Sequence, residues 1–169
     1  DDPLVSSIDI RYPIDVATDS EGNIYILEYG YRRIIVTDSS GTLIRTIGYY
    51  GRGCNTFLEP IQIAIDSNDL IYVTDRDADY VKVLRTDGSC VRRIRTNAPQ
   101  GIAVTDSYIY VSYNFGAEIN IFNKNFNRLG YPSGYHKVNR TWGLAINDDE
   151  TKISFANPQP NNVRGHTLS

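Results

Sequence analysis

An all-β architecture of repeated four-stranded meanders is predicted by three observations. Apolar and polar residues alternate with a period of two in short runs, as at 70–74, 80–84 and 90–94, and Asp- and Gly-rich turns separate the runs. Nearly the same text precedes this stretch at 22–47 and recurs, more weakly, at 108–129. The unit openings Pro13, Pro60, Pro99 and Thr141 lie 47, 39 and 42 residues apart. A period of about 40–45 residues with four strands is that of a β-propeller blade.

The elements follow in order. In the first unit Pro13-Ile14-Asp15-Val16-Ala17-Thr18-Asp19 is strand a and the turn 20–23 leads to strand b at 24–27. Strand c is 33–37, the tight turn 38–41 contains Gly41, strand d is 43–47, and a long loop spans 48–59. The second unit has strand a at 60–66 and the three runs already named as b, c and d. The third opens at Pro99, with strands b, c and d at 109–112, 119–122 and 126–129. The fourth opens at Thr141-Trp142-Gly143-Leu144, with strand b at 153–156 and strand c at 163–168, and has no strand d. The blades are therefore set at 13–47, 60–94, 99–129 and 141–169 of one domain covering 1–169. Alanines 17, 64, 103 and 145 recur in strand a, where inner strands crowd around an axis. Tyr25, Tyr72 and Tyr110 recur in strand b and read as packing residues with hydrogen-bonded hydroxyls.

Bulk properties bound the function. The chain has 169 residues, 41% hydrophobic and 22% charged, which suits one domain with a real core. No apolar run approaches the ~20 residues of a membrane-spanning helix, so no membrane association is expected. No signal or transit peptide is visible, and with no Met the first residue reads as a processed terminus or the edge of an excised domain. A net charge of −3 speaks against general nucleic-acid binding. Asn139-Arg140-Thr141 fits a glycosylation acceptor and leans towards secretion.

The repeats resemble NHL repeats, a propeller family. The likeness is carried by Pro60-x-x-Ile63-Ala64-Ile65-Asp66-Ser67, Ile71-Tyr72-Val73-Thr74-Asp75, Val81-Lys82-Val83 and Asp87-Gly88-Ser89 before Val91-Arg92-Arg93-Ile94. The first unit matches through Val16-Ala17-Thr18-Asp19, Gly22-Asn23-Ile24-Tyr25, Ile34-Ile35-Val36 and residues 41–48. The resemblance implies a propeller, usually of about six blades, whereas four are present here. The orphan run 4–8 resembles a strand d, so a ring of four blades closed by pairing 4–8 with 163–168 is expected. Excision of four blades from a larger wheel would leave the same ends.

The resemblance also implies that the b–c and d–a loops of one face bind ligands. Those loops hold Tyr29, Tyr31, Arg32, Tyr50, Arg52, Asp75, Arg76, Tyr113, Asn114, Phe115, Tyr135 and His136. Rings with Arg make contact hot spots, so the expected function is non-catalytic recognition of a protein, peptide or glycan by a monomer. One alternative is a metal-dependent lyase or hydrolase with its site in the axial cavity. It is weakened by having only His136 and His166, although Glu28 and Asp75 could meet at the mouth. The other is RNA binding, but the densest basic group, Lys82, Arg85, Arg92, Arg93 and Arg95, falls on outer strands. Asp19–Asn23 and 147–150 read as turns rather than calcium loops, and no cofactor or resident metal is expected. Cys54 in a d–a loop and Cys90 after a c–d turn lie at opposite ends of a blade, so no disulfide is expected between them.

Overall fold

The computed structural model describes residues 8–113, 119–131, 143–147, 149–157 and 162–167. Its strands are β1 (Pro13–Thr18), β2 (Ile24–Glu28), β3 (Arg33–Thr37), β4 (Leu43–Ile47), β5 (Pro60–Ile65), β6 (Ile71–Asp75), β7 (Tyr80–Leu84) and β8 (Cys90–Arg95). They continue as β9 (Pro99–Val104), β10 (Tyr108–Tyr113), β11 (Ile119–Asn123), β12 (Arg128–Gly130), β13 (Gly143–Ile146), β14 (Lys152–Asn157) and β15 (Asn162–Thr167). Each run of four pairs in chain order as an antiparallel sheet, β1 to β4, β5 to β8 and β9 to β12, and β13 to β15 form a three-stranded fourth sheet. The strand assignments from the sequence thus hold to within a residue or two. The innermost strands β1, β5, β9 and β13 neighbour one another in order, so the sheets follow each other as blades around a common axis.

Hydrophobic burial between successive sheets holds the array together. Tyr25, Leu27, Ile34 and Val36 of the first blade pack on Ile63, Ile71, Val73 and Leu84 of the second. Tyr72, Val81, Val83 and Ile94 pack on Ile102, Ile109, Val111 and Phe122 of the third. Ala103, Tyr110 and Ile119 meet Leu144 and Ile153 of the fourth. Fully burying one such aliphatic contributes roughly 1.5–3 kcal/mol, so each interface is a core in its own right.

Three of the four recurrent alanines have a local cause beside crowding at an axis, while Ala145 lies opposite Ser154. Ala17, Ala64 and Ala103 lie directly opposite Tyr25, Tyr72 and Tyr110 in register. Directly opposed side chains share a face of the sheet, so a methyl group leaves room for the ring. The first two hydroxyls donate to an aspartate at the end of strand a, Tyr25 to Asp19 (3.0 Å) and Tyr72 to Asp66 (2.8 Å). Asp19 also accepts the Glu21 and Asn23 N–H groups at 3.0 and 2.8 Å, so this acidic segment is a turn built on its own side chain.

The closed four-blade ring is overturned. Among the described residues the last strand, β15, pairs with β14 alone and no N-terminal strand joins the fourth sheet. Residues 4–7 of the proposed latch lie outside the described residues. The flank of β1 that a neighbouring blade would cover is open: Val16 is 58% exposed, while its equivalents Ile63, Ile102 and Leu144 are 4%, 2% and 8% exposed. The four blades form an open array with the first blade at one end.

The second correction concerns the cysteines. Cys54 and Cys90 form a disulfide with their Cα atoms 5.6 Å apart. The strand assignment stands, but loop 48–59 is not confined to one end of the blade. Blades diverge towards their outer strands, and this loop fills the wedge between the first two. Its Phe57 is fully buried in the core between them, and Cys54 packs against the same cluster. The loop thereby reaches along β8, where Cys54 lies 3.5 Å from the Arg92 carbonyl and Arg93 donates to the Arg52 carbonyl at 3.3 Å.

Candidate functional site

A cleft of about 690 Å³ opens where four loops of the first two blades converge. Arg32 comes from the β2–β3 loop, and Tyr50, Arg52 and Leu58 come from loop 48–59. Arg76, Asp77 and Asp79 come from the β6–β7 loop and Ala98 from the β8–β9 loop. Arg32, Tyr50, Arg52 and Arg76 are expected at the mouth from the sequence, and the structure brings these four together. Leu58, Asp77, Asp79 and Ala98 line the same cleft without being expected there, although Asp77 and Asp79 share the Asp-rich loop of Arg76.

The loops are rigid for identifiable reasons. The wedge loop doubles back on itself, with the Phe57 N–H donating to the Tyr49 carbonyl (2.9 Å) and the Gly51 N–H to the Phe57 carbonyl (3.1 Å). Gly48 has φ +88°, and a Cβ there would strike the Phe57 ring, so only glycine fits. Beneath the cleft, the fully buried Asp75 carboxylate accepts the Leu58 and Glu59 N–H groups at 3.0 and 2.7 Å and pairs with the Lys82 ammonium at 2.6 Å. Lys82 also donates to the Thr56 carbonyl, and its ammonium sits 5.4 Å from the centre of the Phe57 ring. Burial pushes the Lys82 ammonium below its ordinary pKa, and the bond to Asp75 opposes that shift. Lys82 therefore belongs to the interior and not to the rim group in which the sequence placed it, whereas Arg85, Arg92, Arg93 and Arg95 are exposed.

The charges of the cleft divide into engaged and available groups. Arg76 is paired with Glu59, its Nε donating at 2.8 Å. Glu59 is raised from its ordinary pKa by burial, against the Arg76 bond, and its contact with Asp77 adds to the rise. Asp79 accepts the Ala98 N–H at 2.9 Å. Arg32 donates through Nε to the Leu58 carbonyl at 2.7 Å and through Nη1 to the Tyr29 carbonyl, with its guanidinium carbon 3.9 Å from the centre of the Tyr29 ring. That fixes its plane at the lining of the cleft. The exposed Arg52 stands on the loop that the disulfide pins.

The remaining residues expected at the site are placed elsewhere. Tyr29 lies under Arg32 as its stacking partner. Tyr31 lies between Arg11 and Arg33, at 5.3 and 4.8 Å from their guanidinium carbons, and its hydroxyl donates to Asp9 at 2.8 Å. Asp75 is buried beneath the cleft, as described above. Glu28, which the sequence set against Asp75, is its equivalent in the first blade: it is fully buried, binds Arg33 Nε at 2.6 Å and accepts the Arg11 N–H at 2.5 Å. Tyr113 ends β10 and is half-buried. Asn114, Phe115, Tyr135, His136 and the acceptor Asn139 lie outside the described residues. Among the described residues no three His, Cys, Asp or Glu side chains gather as metal ligands, and no helix is long and apolar enough to cross a membrane.

No family model matches the chain and no curated protein matches it. Solved structures do. The hydrazine synthase of Kuenenia stuttgartiensis aligns with a TM-score of 0.69 at 14% identity, covering 92% of this chain and 44% of that one. A streptogramin B lyase structure aligns with a TM-score of 0.66 at 14% identity, covering 93% of this chain and 55% of that one. The chain thus spans about half the length of the structures it resembles. At that identity the likeness is one of fold, an all-β repeat architecture of the β-propeller kind.

Proposed function

We propose that this chain is a non-catalytic recognition module, built on NHL-like repeats, that binds a carboxylate-bearing segment of a protein or peptide in the cleft between its first two blades. The observation that carries this reading is the contrast, among the described residues, between an arginine that has a carboxylate partner and two that have none. Arg76 is neutralised by Glu59, whereas Arg32 is held in plane by two carbonyls and a ring, with Arg52 beside the same cleft. A guanidinium oriented before the ligand arrives loses little entropy on binding, and its remaining N–H groups make charge-assisted hydrogen bonds to a carboxylate. Tyr50 and Leu58 supply apolar area next to these charges. The staple across loop 48–59 suits an oxidising compartment, in keeping with the glycosylation triplet.

The test is a peptide array of acidic, neutral and basic sequences, run beside a glycan array and single-stranded RNA. Acidic peptides are the expected captures, and Arg32→Ala and Arg52→Ala should each weaken binding about tenfold, a loss of about 1.4 kcal/mol. Capture of glycans alone, or binding that follows Arg92, Arg93 and Arg95 instead, would contradict the reading.

A further inference from the structure

The β2–β3 and β6–β7 loops that meet at the cleft are the same loop with opposite charges. They are equal in length, because Glu28 pairs with Arg33 as Asp75 pairs with Tyr80. Arg32 and Asp79 therefore hold one position, the residue before the outgoing strand, and both are left-handed, with φ +57° and +62°. Aspartate tolerates that conformation, whereas arginine has no such preference. Each side chain anchors on the d–a loop that follows its blade. Arg32 donates to the Leu58 carbonyl at 2.7 Å, and Asp79 accepts the Ala98 N–H at 2.9 Å. Two positions earlier, Gly30 of the first loop corresponds to Asp77 of the second.

Successive blades supply these charges, so the guanidinium and the two carboxylates stand at different ends of the cleft. Leu58 lies between them. Its carbonyl holds Arg32, and its N–H binds Asp75, which ends β6 just before the aspartate-bearing loop. Among the described residues neither Asp77 nor Asp79 has an ion-pair partner. Arg76, their neighbour, is committed to Glu59. Asp77 also touches Glu59, a like-charge contact that helps to raise the Glu59 pKa. With Glu59 included, Arg32, Arg52 and Arg76 balance Glu59, Asp77 and Asp79. A ligand that carries only acids is attracted at one end and repelled at the other.

Given the carboxylate recognition proposed above, on which this step rests, we infer that the bound segment is dipolar: an acidic side chain meets Arg32, and a lysine or arginine a few residues away meets Asp77 and Asp79. A cation at that end gives both carboxylates a counter-ion and offsets the crowding of Asp77 against Glu59. A second acid there meets the same groups as a repulsion, which turns charge order along the segment into specificity.

Anisotropy titrations with short peptides, acetylated and amidated so that only side chains carry charge, test this. Each peptide holds one Glu, and Lys, Gln or a second Glu is placed in turn at every other position. Lys at its best position should bind about fivefold tighter than Gln there, the size expected of an exposed ion pair. A second Glu should bind more weakly than Gln. Asp77→Asn with Asp79→Asn should abolish the preference for Lys and leave the Gln peptide bound, since an amide oxygen at position 79 still accepts the Ala98 N–H. Asp77→Lys, a change at an exposed side chain, should reverse the order so that a second Glu outbinds Lys. Equal binding of the Lys and Gln peptides by the unaltered protein overturns the inference and leaves the carboxylate reading standing. A preference for Lys that survives both variants overturns it as well. Failure of the unaltered protein to bind any of the peptides overturns the carboxylate reading together with it.

Discussion

Single side chains do two kinds of work here, closing turns and bridging blades, and Asp66 does both. It accepts the Asn68 and Leu70 N–H groups, each at 3.0 Å, the Tyr72 hydroxyl, and the Lys124 ammonium of the third blade at 2.6 Å. Burial alone would raise its pKa, but Lys124 with the turn and tyrosine donors holds it below the ordinary carboxylate value. A carboxylate with a lowered folded pKa contributes stability above its unfolded value of about 3.9, and that contribution is lost as pH falls through the folded value. Lys124→Met should therefore cost about 1–3 kcal/mol at pH 7 in urea denaturation. The difference from the unaltered protein should shrink as pH falls through the lowered folded value, below which Asp66 is protonated in both states. A cost that does not change with pH would show that Lys124 acts through packing.

At the level of the element, loop 48–59 decides the site. It contributes Tyr50, Arg52 and Leu58 to the cleft and Phe57 to the core, and its position is fixed by Asp75, Lys82 and the Cys54–Cys90 bond. The bond joins residues 36 apart in sequence, so the loop-entropy relation gives about 3–4 kcal/mol of stabilisation. C54S/C90S should lower the calorimetric midpoint accordingly and weaken ligand capture, whereas a loop held by packing alone would leave capture intact. The strands were legible in the sequence because alternation and turn residues report locally, and so were four of the residues that meet in the cleft. The route of this loop was not legible. A loop with a phenylalanine near its end signals a buried contact, but no local pattern says which blade face receives it. Lys82 shows the same limit: its neighbours in sequence are basic and exposed, and only the tertiary position of Asp75 and Thr56 explains its burial.

For the whole molecule, the consequence is an open array. Three inter-blade cores have the same construction, and the cleft depends only on the first two blades and the loops around them. Ring closure cannot be read from a repeat, because every unit carries the same two faces whether or not a neighbour is present. What differs is the acceptor of one inner-strand N–H at each blade: Ile63 and Ile102 donate to Asp15 and Gln62 of the preceding blade, at 2.9 and 2.7 Å, while Val16 donates to its own neighbour Asp15, at 3.0 Å. Residue-resolved hydrogen exchange on the unmodified chain reads this difference directly. The open array predicts that the Val16 amide exchanges at least a hundredfold faster than those of Ile63 and Ile102, whereas equal protection at all three would contradict it.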